Sequence, residues 1–120
     1  MAGELVEAGS TAVVGAMGTD AWQTTRASVA RLFGRGRPNR QARYEAQLDD
    51  NAAQVAGAND PDRVREGLVP VWRLELQGLL RRHPDAENEL RALVQRVADA
   101  LPAAQQDWVH THLSRPPEEH

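Results

Sequence analysis

Residues 86–101 of the chain read AENELRALVQRVADAL, and this stretch decides the fold class. Its apolar side chains recur every three or four residues, which is the spacing that places them on one face of an α-helix. That face consists of Ala86, Leu90, Leu93, Val94, Val97 and Leu101. Charged residues lie mostly on the opposite side, so the pattern predicts an amphipathic helix with one buried face.

The two preceding segments repeat this helical pattern. Residues 61–82 begin with Asp60 as a good N-cap and Pro61 at the first helical position, which is the usual start signal. Pro70 lies inside this segment and is expected to kink or restart the helix, because its ring removes a backbone donor. Residues 39–56 predict a further helix with a thinner apolar face.

The two ends of the chain complete the prediction. The first 33 residues predict one long helix, or two collinear helices with a break near residues 18–20, and residues 102–113 predict a short last helix. Strand-like alternation is absent from the sequence, and short loops favour antiparallel neighbours. We therefore predict one all-α domain over residues 1–115, an antiparallel bundle of four to five helices with a long N-terminal helix, and a tail or truncated linker at residues 116–120.

The charges of the chain are unevenly distributed. Its 120 residues carry a net charge of −3 and contain no cysteine, which excludes disulfides and thiol-based metal or redox chemistry. Residues 1–20 contribute −3, residues 21–44 contribute +6 through six arginines, and residues 45–120 contribute −6. Such a local excess of one sign says more about partners than the total does.

The longest uncharged run is residues 8–19. A spanning helix needs about 20 apolar residues, so this run does not predict an ordinary transmembrane anchor. Glu4 and Glu7 stand where a secretory signal peptide would carry positive charge. We expect a cytoplasmic location with relocation to the membrane on activation.

Candidate catalytic groups do not form a recognisable site. His110 and His112 are two residues apart, which separates them by about 200° around a helix and makes them poor ligands for one metal. The segment from Gly34 to Gly36 lacks the preceding strand and the third glycine of a phosphate-binding loop. We expect no enzymatic activity, no cofactor and no metal.

The N-terminal helix is built from small residues. Ala8, Ala12 and Ala16 recur every four residues, and this small-xxx-small spacing lets helix backbones approach closely in lipid. The same residues would also allow tight packing against neighbouring helices within a soluble bundle, and the sequence leaves both interpretations open.

A cluster of arginines follows, from Arg26 to Arg43. Arginines beside an apolar helix are attracted to anionic lipid, by about 1 kcal/mol for each one near the surface. Phosphates of nucleic acid would attract the same charges, and a solvated basic loop is the third interpretation. Since the whole chain is acidic and shows no DNA-binding motif, we expect no nucleic-acid partner.

Four stretches of the sequence carry a resemblance to a known class of protein. They are ELVxAGxTAVVxAMxTDAW from residue 4, VARLFG from residue 29, WxLxLxxLL from residue 72 and HPDAxxEL from residue 83. Together they resemble the bell domains of bacterial amyloid-signalling systems, which are similar to fungal HeLo domains and to the four-helix executioner domain of the mixed-lineage kinase-like pseudokinase. The resemblance covers most of residues 1–113 and consists of apolar patterns rather than catalytic signatures.

The resemblance implies a cell-death effector that stays inactive as a soluble bundle. On activation such a domain oligomerises with its own copies and inserts its N-terminal helix into membrane lipids, triggered through a C-terminal amyloid motif by a nucleotide-binding receptor. This chain departs from that pattern, since no Gly/Asn/Val-rich segment follows Pro117. A helical protein-interaction adaptor in a bacterial signalling or defence system is the alternative.

The membrane hypothesis assigns three sets of residues. Insertion into lipid is assigned to Leu5, Val6, Val13, Val14 and Met17. Packing between copies of the helix is assigned to Ala8, Ala12, Gly15 and Ala16. Contact with anionic head groups is assigned to Arg26, Arg31, Arg35 and Arg37.

Overall fold

Six α-helices make up the part of the chain that the structure describes. The computed structural model describes residues 2–114, and the side chains of residues 3–111, and it contains no strand within them. The all-α class is therefore confirmed, while the predicted tail at residues 116–120 lies outside the described residues. The helices are α1 (Ala2–Ala16), α2 (Trp22–Gly34), α3 (Pro38–Ala56), α4 (Pro61–Arg82), α5 (Ala86–Ala100) and α6 (Ala103–Ser114).

The N-terminal third divides into α1 and α2. Gly18 between them has a φ of 79°, in the left-handed region that glycine adopts without steric cost. The Thr19 hydroxyl donates to the Ala16 carbonyl at 2.7 Å and accepts from the Ala21 N–H at 3.2 Å, which fixes the turn. These features correct the predicted long N-terminal helix and the count of four to five helices, because α1 has 15 residues and α4, with 22, is longer.

The helix α4 starts where the sequence predicts but continues past its proline. The Asp60 carboxylate accepts from the Arg63 N–H at 3.3 Å and so acts as the N-cap. At Pro70, where a kink or a restart was expected, the helix runs on without a second start. Since Pro70 is exposed, its ring lies outside the packed interior.

The helix α1 occupies the centre of the packing. It contacts α2, α4, α5 and α6, whereas α2 packs mainly on α3 and α4 contacts α5 only slightly. Trp72 of α4 is fully buried and lies edge-on to Phe33 of α2, with ring centroids 5.7 Å apart. The predicted stripe of α5 faces this core, with Leu90, Leu93 and Val97 buried.

Candidate functional site

The residues assigned to lipid insertion lie in the protein core. All five are buried, and every residue from Gly9 to Met17 is buried as well. A helix that is apolar around its whole circumference needs either a protein interior or a membrane around it. In this structure the protein supplies that environment, so insertion requires α1 to leave its neighbours.

The small residues of α1 permit close approach of three other helices. A Cβ added at Gly9 would lie 3.0 Å from Leu76 Cδ1, and one added at Gly15 would lie 2.8 Å from Val109 Cγ2. Ala12 and Ala16 are buried, and Ala8 is partly buried. The small residues therefore contact α4, α5 and α6 of the same chain, and their packing between copies stays a prediction.

Two arginines of α4 hold the two ends of α1. Near the start of α1, Arg73 Nε lies 2.5 Å from Glu7 Oε2. At its end, Arg65 Nη2 donates to the Met17 carbonyl at 2.8 Å, while Arg65 Nη1 bonds Asp62 Oδ1 at 2.6 Å. Arg65 is only 6% exposed, and we name these contacts of Arg65 and Arg73 the α4 clasp.

Sequence reasoning missed Arg65 as a functional position, although a signal was present. Arg65 lies three residues before Leu68 and seven before Trp72, and therefore on the apolar stripe of α4. A charged residue in such a stripe needs a buried partner, since an unpaired buried charge is costly. The sequence does not show that this partner is the backbone carbonyl of Met17.

The hydroxyl groups of α1 are bonded within α1 itself. Ser10 Oγ donates to the Glu7 carbonyl at 3.1 Å, and Thr11 Oγ1 donates to the same carbonyl at 2.8 Å. Both side chains are buried. Because their partners belong to the same helix, these bonds would persist in any environment that keeps α1 helical.

Of the four arginines assigned to head groups, two form ion pairs within the protein and two do not. Arg26 forms a bidentate ion pair with Asp49, with Nε–Oδ1 at 2.6 Å and Nη2–Oδ2 at 3.0 Å, and hydrogen bonding to Asp49 raises the pKa of Arg26. Arg35 bonds Glu89 and, at 2.7 Å, Asp85. Arg31 and Arg37, by contrast, are exposed and form no ion pair with a described carboxylate.

Tyr44 links α3 to α4 beside the end of this arginine cluster. Its ring stacks on Phe33 with centroids 4.5 Å apart, and its hydroxyl donates to Glu75 Oε1 at 3.2 Å. Burial raises the pKa of Tyr44, and the charge and hydrogen bond of Glu75 raise it further, while Arg82 and Arg40 lower it. The neutral phenol is therefore the form that the folded state stabilises.

The pKa of Tyr44 predicts a loss of stability at high pH. Unfolded tyrosine ionises near pH 10, and the folded phenol ionises above that value. The unfolded state thus loses its proton first, so the free energy of unfolding should fall as the pH rises above about 10. Tyr44 is the only tyrosine of the chain, so its ionisation can be followed by ultraviolet absorbance, and urea unfolding across the same pH range should show the decline.

The matched variant for this prediction is Tyr44→Phe, which keeps the ring on Phe33. It should lack the part of the alkaline decline that tyrosine ionisation causes. An identical decline in Tyr44→Phe, or ionisation of Tyr44 at the ordinary value in the folded protein, would contradict the prediction.

No three acidic, histidine or cysteine side chains among the described residues converge where a metal ion could be held. None of the described helices combines the length and the apolar character needed to cross a membrane.

Comparisons of the chain with known protein families, with curated proteins and with solved structures give no match.

Proposed function

We propose that this domain is a membrane-targeting cell-death effector whose antiparallel bundle keeps α1 inactive until a trigger releases it. Once released, α1 of several copies oligomerises in the membrane and permeabilises it. The membrane contacts are those assigned from the sequence, with Arg31 and Arg37 free to meet head groups at once. Arg26 and Arg35 become available when their carboxylate partners separate from them.

The proposal rests on one observation: the buried hydroxyl groups of α1 form their hydrogen bonds within α1 itself. From Gly9 to Met17 every residue is buried, and the hydroxyls of Ser10 and Thr11 bond only within the helix. In lipid an unsatisfied polar group costs several kcal/mol. Transfer of α1 from the bundle to lipid leaves no side-chain hydroxyl unpaired, so the helix suits both environments.

The length of α1 favours shallow insertion by several copies. Its 15 residues span about 22 Å at ~1.5 Å per residue, whereas the hydrocarbon core is about 30 Å thick. Glu4 and Glu7 near its start favour an end that stays at the polar boundary. An amphipathic or apolar helix can lie in the interface without crossing, and several such helices together would disturb the bilayer.

Release of α1 requires more than exposure of one surface. The α4 clasp must open at Arg65 and Arg73, and α1 must separate from α4, α5 and α6. Burial of apolar surface contributes roughly 25 cal/mol per Å², so the core opposes this separation strongly. The proposed trigger therefore opens the whole bundle, and the resting domain is inert.

A removable covalent lock tests the proposal. The Cβ position at Gly15 lies 2.8 Å from Val109 Cγ2, which puts the two Cβ atoms at most ~4.3 Å apart, within the range of a disulfide. The chain has no cysteine of its own, so Gly15→Cys with Val109→Cys forms one defined bridge between α1 and α6. In urea just below the unfolding transition, which loosens the bundle in place of the trigger, we expect the oxidised pair not to release dye from vesicles containing anionic lipid. The same protein after reduction should release the dye as the wild type does.

The single variants Gly15→Cys and Val109→Cys are the matched controls, since neither can form the bridge within one chain. They should release dye equally with and without oxidant. Equal release by the oxidised and reduced pair would show that α1 does not need to leave α6. Intact vesicles with every protein in the same urea, wild type included, would remove the membrane function altogether.

One observation favours the adaptor alternative. Val71 and Leu74 of α4 are 41% and 69% exposed, and they are the large hydrophobic side chains most open to solvent among the described residues. Exposed apolar residues that cluster on one helix face can form the centre of a protein contact. An adaptor would bind its partner equally well with the lock closed or open and would leave vesicles intact.

A further inference from the structure

A small basic cleft lies where α2, α3 and α4 meet. It has a volume of about 180 Å³. Its lining comes from the end of α2, the first two turns of α3 and the end of α4, namely Phe33, Arg40, Arg43, Tyr44, Leu79, Arg82 and His83. None of the three arginines is among the four assigned to head groups from the sequence, and no residue of α1 lines the cleft.

The arginines of this cleft are not neutralised by the protein. Arg40, Arg43 and Arg82 form no ion pair with any carboxylate among the described residues, whereas Arg26 and Arg35 are each paired. Glu75 lies beside Tyr44, and it already accepts the Tyr44 hydroxyl. The lining contains three arginines and no acidic residue, so the cleft carries an excess of positive charge.

The position of Arg82 is supported by its neighbours. Its Nη1 lies 3.4 Å from where a Cβ of Gly78 would stand, so the guanidinium folds back along α4 over Gly78. Arg82 and Arg40 are both close enough to Tyr44 to lower its pKa. The two charges thus act on the same phenol although they come from two helices.

Aromatic side chains line much of the rest of the cleft, and the cleft is small. Phe33 stacks on Tyr44 and meets Trp72 edge-on, so packed aromatic rings form part of the lining. Pockets for drug-sized ligands run from about 300 to 1,000 Å³, so this cleft suits a compact anion. The first turn of α3 adds to the attraction, because it carries no acidic residue and the helix N-terminus is partially positive.

We propose that this cleft binds a phosphate group, held by the guanidinium groups of Arg40, Arg43 and Arg82. Arginine forms bidentate, charge-assisted hydrogen bonds with phosphate, and three of them match a doubly charged phosphomonoester. The phosphate belongs either to a soluble phosphomonoester or to a lipid head group. This inference does not rest on the proposed release of α1, since it requires only the folded bundle.

Calorimetric titration with inorganic phosphate tests the site directly. The wild type should bind one phosphate saturably at low salt, more weakly as ionic strength rises. Arg40→Gln, Arg43→Gln and Arg82→Gln should each weaken binding by about tenfold. The controls are Arg63→Gln and Arg81→Gln, which remove the same charge from exposed positions outside the cleft and should bind as the wild type does.

The pKa of Tyr44 provides a second test, because this tyrosine lines the cleft. Phosphate bound beside the ring disfavours the tyrosinate, so it should raise the pKa of Tyr44 above its value in chloride of equal ionic strength. Absorbance reports this one residue, and in Arg82→Gln the shift should require about tenfold more phosphate. A pKa that phosphate does not change would overturn the proposal, as would equal binding by the cleft variants and the controls.

Vesicles distinguish the two sources of the phosphate. Phosphatidic acid exposes a phosphomonoester, whereas phosphatidylserine at equal surface charge exposes a phosphodiester. Stronger, Arg82-dependent binding to phosphatidic acid would assign the site to a lipid head group, and binding of free phosphate alone would assign it to a soluble ligand. Binding to both vesicles alike, unchanged in all three cleft variants, with none to free phosphate, would overturn the proposal.

Discussion

Replacing Val13 with aspartate should unfold the domain or leave it only marginally stable. Val13 is 1% exposed in the second half of the central helix, so the new carboxylate would be buried without a partner. Such burial costs several kcal/mol, against a total stability of about 5–15 kcal/mol for an ordinary domain. Circular dichroism and urea unfolding should show a large loss of helix or a midpoint far below that of the wild type.

The matched control is Leu74→Asp, which places the same charge on a side chain that is 69% exposed. Surface substitutions of this kind usually change stability by about 0.5 kcal/mol or less, so the unfolding midpoint should barely move. A Val13→Asp protein as stable as Leu74→Asp would show that α1 is not the central helix. Because Val13→Asp damages the resting fold, loss of vesicle leakage in this variant would not by itself report on lipid contact, and the disulfide lock is the sharper test.

Replacing Trp72 with alanine should cost about 3–5 kcal/mol of stability, the usual range for removing a buried tryptophan. The side chain is 0% exposed, packs on Phe33, and donates its indole N–H to Asn51 Oδ1 at 2.9 Å. The substitution creates a cavity between α2 and α4 and leaves the buried Asn51 amide without its donor. Thermal and urea unfolding measure the effect directly.

Two companion variants separate the cavity from the hydrogen bond. Trp72→Phe keeps much of the volume but removes the N–H, so it should cost about 1–3 kcal/mol through the unpaired amide. Adding Asn51→Leu removes the stranded acceptor and should restore part of that loss. Leu74→Ala, two residues along the same helix but exposed, should leave stability almost unchanged, and a similar loss in all these variants would contradict the assignment.

Helix boundaries were the most predictable part of this fold. Asp60 and Pro61 marked the start of α4, and the structure has α4 beginning at Pro61 with Asp60 as its cap. The stripe of residues 86–101 became the buried face of α5. Both predictions succeed because capping and amphipathic periodicity act over a few neighbouring residues, and those neighbours are visible in the sequence.

The limits of local reasoning are visible at Pro70 and at residues 17–21. Proline disfavours a helix interior, yet α4 continues through it, so tertiary packing outweighs the local preference. The break between α1 and α2, which the sequence offered only as one of two interpretations, is fixed by the Thr19 hydroxyl and the left-handed Gly18.

The candidate sites depended on contacts between distant positions. Arg26 meets Asp49, Arg65 meets the Met17 carbonyl, and Arg35 meets Glu89. One continuous arginine cluster in the sequence thereby became two paired arginines, two exposed ones and part of a cleft. Composition predicted the positive charge, but partners across the fold decide which charges remain available.

The sequence by itself determined that this chain is all-α, where most of its helices start and stop, and that α1 must be shielded from water. Those properties follow from short-range sterics, capping and the spacing of apolar residues. Only the tertiary structure decided that α1 is shielded by α4, α5 and α6, that Arg65 and Arg73 clasp its ends, and that three arginines surround an aromatic-lined cleft. These arrangements arise from packing between residues far apart in the chain, and apolar periodicity specifies which face of a helix is buried without specifying which partner covers it.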